Sequence, residues 1–305
     1  MEKPEYAFFN GKIVPIAEAK IDIRTNSIHY GTAVFEGIRA YWCADEKKMY
    51  VFRMKEHYRR MADNCKILFL ELPHSVDDMC RITLELLRSE NYSEDVYIRP
   101  YAYFSSLRIS PKLIDMETGF FIYTMPLGDY VDTTRGLNVC VSSWPRISDN
   151  MISARGKIAG AYVNSALQKT EAVRNGFDEA IVLTSDGHVA EGSAMNLFLV
   201  KNGIVSTSPT TEDILEGITR DAILTLACEE LKLTVLERKI DRTELYTADE
   251  LFFCGTGAQV AAIASVDHRV IGNGEFGSIT KKIQELYMQV VKAKVPKYKN
   301  WCTEV

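Results

Sequence analysis

Apolar residues recur along this chain with two periods, and the switches between them mark its elements. Phe8, Phe9, Ile13 and Val14 flank Asn10-Gly11, a dipeptide that accepts the left-handed backbone of a two-residue turn. Phe8 to Val14 is therefore predicted to be a hairpin. From Lys55 to Leu68 the apolar positions Tyr58, Met61, Cys65 and Leu68 fall three or four apart, the spacing of one helix face. Ser75, followed by Asp77 and Asp78, reads as an N-cap with an acidic first turn, and the helix it opens is predicted to run to about Arg88. Aromatic-rich Val96 to Phe104 and Phe120 to Met125 read as strands. Together these elements make an α+β first half, assigned to a small α/β domain over 1–126.

The segment 127–134, with Gly128 and no periodicity, is predicted to connect two domains. Beyond it Leu137 to Trp144, Glu179 to Thr184, Ala194 to Val200 and Glu250 to Cys254 read as strands. Helices are predicted at Ala159 to Arg174, with Gly176 as a left-handed stop, at Thr219 to Leu231 and at Ser278 to Lys292. Strands before, between and after helices point to a larger second domain, 135–305, whose sheet is wrapped by helices.

Composition narrows the function class. A chain of 305 residues, 47% hydrophobic, can build two cores. No apolar run approaches the roughly twenty residues of a membrane span, and the charged N-terminus Met1-Glu2-Lys3-Pro4-Glu5 lacks the apolar stretch of a secretory signal. A net charge of -5 without a basic run gives no reason to expect nucleic acid as a partner. The seven cysteines are odd in number and scattered, as for reduced thiols in the cytoplasm. Cys254, between Phe253 and Gly255, reads as a buried strand thiol. The histidines show no metal-ligand spacing, so His29 and His57 read as structural and no metal is expected.

Two segments carry candidate chemistry. In Ser153-Ala154-Arg155-Gly156-Lys157-Ile158-Ala159-Gly160-Ala161-Tyr162 a lysine stands among small residues, so a flat cofactor has room beside its amine. An amine in such a slot can lose its proton and attack a carbonyl. Later comes Ala190-Glu191-Gly192-Ser193-Ala194-Met195-Asn196, which offers a carboxylate. The pattern suits a lysine that holds pyridoxal 5'-phosphate as a Schiff base. More commonly such a pattern is a solvated surface lysine, a loop glutamate and a core tyrosine, since Gly-plus-Lys patterns recur widely.

These two segments resemble, in order, those of the class IV aminotransferases, in particular the branched-chain amino-acid aminotransferases. Further matches span almost the whole chain: Phe9-Asn10-Gly11, His29 to Arg39, Val51-Phe52-Arg53 with Glu56-His57, Tyr97-Ile98-Arg99-Pro100, Val141 to Trp144, Leu215 to Arg220 and Gly255-Thr256-Gly257-Ala258. The resemblance implies the two-domain fold type IV architecture of the D-amino-acid aminotransferase-like enzymes. It implies pyridoxal phosphate attached to Lys157, which also moves the proton between the α-carbon and C4′. The phosphate is then held by Arg53, Thr256 and the backbone amides of Ile218 and Thr219, with Leu215 and Gly217 counted among the cofactor-binding residues. Glu191 faces the pyridine nitrogen and Tyr162 the phenolic oxygen. Tyr97 with the amides of Thr256 and Gly257 holds the substrate α-carboxylate, and Arg99 the distal carboxylate of glutamate as amino donor. Phe35, Gly37, Ala258 and Tyr162 line an apolar pocket, with Tyr30 and Ile109 entering from the partner of a homodimer.

The implied reaction is transamination between leucine, isoleucine or valine and 2-oxoglutarate. D-amino-acid and (R)-amine transaminases and aminodeoxychorismate lyases share the fold and stand as rival activities, and a non-enzymatic relative as a further one. Arg108 departs from the usual glycine beside the branched residue, Glu216 from proline and Gly257 from alanine. Arg108 reads either as a solvent-facing residue or as an additional cation at the site.

Overall fold

The Asn10-Gly11 hairpin forms as its sequence dictates. Asn10 and Gly11 both take positive φ, 50° and 82°, between strands β1 (Tyr6–Phe9) and β2 (Lys12–Pro15), which pair Phe9 with Lys12. The computed structural model describes residues 5–128 and 133–305. They divide into two units: one runs up to Gly128 and adds Gly156–Gly160 and Gln289–Val305, and the other comprises the residues up to Arg155 with Ala161–Met288.

The first unit is built on an antiparallel sheet. Its further strands are β3 (Ala33–Phe35), β4 (Ile38–Cys43), β5 (Lys48–Phe52), β6 (Val96–Phe104) and β7 (Thr118–Pro126), joined by the C-terminal strand Cys302–Glu304. The order is Cys302–Glu304, β5, β4, β6, β7, β1, β2, with β3 paired to the end of β6. A short helix α1 (Asn26–Tyr30) precedes β3, and α2 (Met54–Ile67) and α3 (Val76–Glu90) follow β5. Ser75 caps α3 as expected, its Oγ accepting the Asp78 amide at 3.1 Å. Tyr58 and Met61 of α2 and Met79, Ile82 and Leu86 of α3 form one core with Ile98, Phe104 and Ile122 of the sheet.

The second unit holds β8 (Leu137–Val141), β9 (Glu179–Leu183), β10 (Val189–Gly192), β11 (Asn196–Lys201), β12 (Ile204–Thr207), β13 (Thr234–Glu237), β14 (Glu250–Gly255), β15 (Gln259–Val266) and β16 (Arg269–Val270). Their order is β10, β9, β8, β15, β14, β11, β12, β13, with β16 at the side of β15. The pairs β8–β9, β8–β15 and β12–β13 are parallel. Helices α4 (Tyr162–Arg174), α5 (Ile218–Glu229), α6 (Arg242–Leu245) and α7 (Ser278–Val291) accompany this sheet. Its core packs Leu197, Leu199, Leu251, Phe253, Ala261 and Ile263.

Three expectations shift. The strand from Leu137 ends at Val141, not Trp144, because the Glu171 carboxylate captures the Ser142 hydroxyl and the Ser143 amide (2.5 and 3.0 Å) and turns the chain. The helix expected from Ala159 starts with a 3-10 turn, Ala159–Ala161, and becomes α-helical at Tyr162; Gly176 beyond its end takes φ 83°. Segments Gly156–Gly160 and Gln289–Val305, expected within 135–305, pack with the first unit. Of the expected 127–134 connection, residues 129–132 lie outside the described residues.

Candidate active site

In the first unit the lysine segment is bound edge-on to β3. The Phe35 amide donates to the Lys157 carbonyl at 3.1 Å, Val34 and Ile158 form an antiparallel bridge, and the Gly160 amide donates to the Gly31 carbonyl at 3.0 Å. Glycine is required where these backbones meet: Gly31 has φ 64°, and a Cβ on it would stand 2.7 Å from the Gly160 Cα. Lys157 is half-buried with its Nζ 5.2 Å from the Phe35 ring centroid.

The same ring carries a second cation, the Arg99 guanidinium at 4.5 Å. Arg99 donates to the Tyr97 hydroxyl at 2.7 Å. Tyr97 in turn lies against Gly37, where a Cβ would fall 2.2 Å from its Oη. Phe35, Gly37, Tyr97 and Arg99 thus form one cluster with Lys157. Arg53 opens α2 in a left-handed conformation (φ 47°). Its amide donates to the Trp301 carbonyl at 2.6 Å and its guanidinium lies 4.8 Å from the Trp301 ring.

Tyr30 and Ile109 are surface residues. Ile109 is 92% exposed and Tyr30 36%, and the loop bearing Ile109 is tied to α1 through Asn26, whose Nδ2 donates to the Arg108 and Ser110 carbonyls at 3.0 and 2.7 Å. Arg108 itself is exposed and donates to the Asp115 carbonyl at 3.4 Å.

In the second unit Glu191 lies on β10, just after a register shift, and is buried. Its carboxylate accepts from Arg146 at 2.9 Å, from Asn196 Nδ2 at 2.9 Å and from the Leu215 amide at 3.3 Å. Asn196 also donates to the Leu215 carbonyl at 2.9 Å, and a Cβ on Gly217 would meet its Oδ1 at 2.0 Å. Gly217 is the N-cap of α5, so the amides of Ile218 and Thr219 open the helix where the macrodipole is positive. The Gly217 turn and the Glu191 carboxylate are therefore held by one asparagine. Tyr162 starts α4 and is half-buried. Thr256, Gly257 and Ala258 form the tight turn between β14 and β15, closed by Gln259 at φ 56°.

Arg146 and Asn196 have no role in the sequence reading. Asn196 ends the segment that carries Glu191, and an amide next to such a carboxylate was the available signal. Arg146 left none, since its partner is distant in the chain. His57 is buried, and burial pushes the Cys254 thiol well above its usual range, as expected for a strand thiol.

A family model for class IV amino-transferases matches residues 33–266. The chain belongs to the class IV aminotransferases and is a pyridoxal-phosphate-dependent enzyme. Within that family it is of the branched-chain amino-acid aminotransferase type. A probable branched-chain-amino-acid aminotransferase of Aquifex aeolicus is 54% identical over 301 residues, covering 99% of this chain and 97% of that protein. The branched-chain amino acid aminotransferase of Thermobaculum terrenum, solved in its PLP form, is 39% identical with TM-score 0.95 over 100% of this chain and 99% of that one. The T.th. branched-chain amino acid aminotransferase, solved with N-(5'-phosphopyridoxyl)-L-glutamate, is 36% identical with TM-score 0.93 over 99% of each chain. These neighbours carry the expected fold type IV architecture.

Proposed function

We propose that this enzyme transfers the amino group between leucine, isoleucine or valine and 2-oxoglutarate, with pyridoxal phosphate held on Lys157. The observation that carries the reading is the Asn196-braced pair of Glu191 and the Gly217 turn. It brings a buried carboxylate, matched to a protonated pyridine nitrogen, together with a helix start matched to a phosphate. The donor set fits the cofactor chemically: an anion for the ring nitrogen, helix-start amides for a dianion, and a half-buried amine beside an aromatic face.

Bound there, the cofactor supplies an electron sink that stabilises negative charge at the substrate α-carbon. This chain's residues do the rest. Ile218, Thr219, Thr256 and Arg53 hold the phosphate, with Leu215 and Gly217 shaping the turn. Glu191 keeps the ring nitrogen protonated, its own charge matched by Arg146. Tyr162 donates to the phenolic oxygen. The Lys157 Nζ would move the α-proton as general base and acid. Tyr97 and the amides of Thr256 and Gly257 orient the α-carboxylate, and Arg99 receives the distal carboxylate of glutamate. An apolar side-chain pocket discriminates one methylene by only about 1–3 kcal/mol, so the three branched substrates are used comparably.

Support for glutamate as donor comes from the phosphopyridoxyl-glutamate complex of the T.th. enzyme. The exposure of Tyr30 and Ile109 supports a homodimer in which they serve the partner's pocket. The enzyme works in the cytoplasm, in keeping with its scattered cysteines. Among the described residues no helix is long and apolar enough to cross a membrane.

The test is direct. The purified protein with pyridoxal phosphate absorbs in the near-visible, borohydride fixes the pyridoxyl group on Lys157, and L-leucine reacts with 2-oxoglutarate. A label on another lysine overturns the cofactor assignment. A preference for D-alanine or (R)-1-phenylethylamine overturns the substrate assignment, and a monomeric sedimentation profile with full activity removes the shared pocket.

A further inference from the structure

Glu36 stands between Phe35 and Gly37 and is fully buried. An unpaired carboxylate could not stay ionised in such a place. Burial would raise its pKa, yet the Arg60 guanidinium, and after it His57, hold it well below the usual carboxylate range. Arg60 donates Nε to one carboxylate oxygen at 2.7 Å and Nη2 to the other at 2.8 Å, and His57 Nδ1 meets the second oxygen at 2.8 Å. Because an ionised carboxylate only accepts, Nδ1 carries the imidazole proton. Burial, with the Arg60 and Lys157 charges, keeps His57 below its ordinary pKa against the pull of Glu36, so the ring is neutral.

A buried ion pair is weak evidence for stability, since apolar residues of the same volume often serve as well. What this one does is directional. The carboxylate that grips α2 also accepts the Gly37 amide at 3.2 Å, while the Glu36 amide donates to the Pro100 carbonyl of β6 at 3.0 Å. On the other side Phe35 binds the Lys157 carbonyl. The turn carrying Phe35 and Gly37 is thus pinned to helix, sheet and lysine segment at once. A tilt of that turn moves the Phe35 ring, its two cations and the Lys157 backbone together.

We infer that Glu36 is a positioning residue: clamped by His57 and Arg60, it sets the Phe35–Gly37 turn and, through the Phe35 amide, the place of the Lys157 amine. The inference rests on the proposed attachment of the cofactor to Lys157. Two variants test it, Glu36→Gln alone and the double variant Glu36→Gln with Arg60→Leu, which also removes the guanidinium left without its counter-charge. Each is loaded with pyridoxal phosphate and compared with the natural protein by thermal midpoint, by kcat and KM for L-leucine, and by the pH midpoint of the visible cofactor band.

The double variant is expected to regain the thermal midpoint lost in Glu36→Gln. It should still show kcat lowered about tenfold or more with KM less affected, and a band midpoint displaced by about half a pH unit or more. A double variant with natural midpoint, kcat and band overturns the inference. One that does not fold assigns the pair to stability and overturns it equally. A borohydride label away from Lys157 in the natural protein instead removes the underlying attachment, so the two failures are told apart.

Discussion

Gly37 is fixed by its neighbour rather than by its own backbone. Its conformation is open to any residue, but a Cβ would lie 2.2 Å from the Tyr97 hydroxyl and 2.9 Å from its Cζ, far inside contact distance. The Gly37→Ala enzyme must push Tyr97 aside, and with it the Arg99 contact. We expect kcat/KM for leucine to fall roughly 10- to 100-fold, about 1.4–2.7 kcal/mol, with the cofactor band retained. Steady-state kinetics beside an absorbance spectrum checks this, and an unchanged kcat/KM would show that Tyr97 has room to yield. The sequence names Gly37 and Tyr97 through separate motifs, but nothing in either says that they touch. Lys157 stood out for the opposite reason, since small residues around a lysine are a local signal.

At the scale of elements, patterns that repeat locally were readable and strands buried on both faces were not. The amphipathic α2 and α3 and the capped start of α3 follow from spacing alone. Strand β15, Gln259-Val-Ala-Ala-Ile-Ala-Ser-Val, lies between β8 and β14 with most of its residues buried, so it shows no alternation, and its alanines carry little strand preference. Strands β4 and β5 escaped likewise: Arg39 is buried within β4, where a charged residue reads as surface. The link from β10 to the α5 turn through Asn196 is of this hidden kind. Asn196→Ala leaves the Leu215 carbonyl and Glu191 each short of a donor, a cost of about 1–3 kcal/mol. We expect pyridoxal phosphate to leave that variant about tenfold faster on dialysis. Asn196→Asp, adding a like charge beside Glu191, should retain still less. Equal retention in all three proteins would detach the brace from cofactor binding.

For the whole molecule, the buried His57 and Glu36 make stability depend on pH. Their unfolded values are near 6.5 and 4.5, and folding lowers both. Over the intervals so opened the unfolded chain binds more protons, so stability rises with pH. The thermal midpoint should fall as pH drops below about 6.5 and again below about 4.5. His57→Gln should flatten the upper part only; a natural protein with a level midpoint from pH 7 to 5 would contradict the neutral buried ring. A change in element pattern along the chain was readable from the sequence. The membership of each unit was not, because Cys302–Glu304 finds β5 from the far end of the chain and no local pattern announces so distant a pairing.

That last pairing has a consequence for how the protein is made. The strand next to β5 on its outer side is synthesised long after β5 itself, as is Trp301, against which Arg53 lies. Until that strand has been made the first sheet presents β5 as an open edge, the kind of surface on which unfinished chains associate. Arrival of Cys302–Glu304 closes that edge and brings Trp301 to Arg53 in the same event.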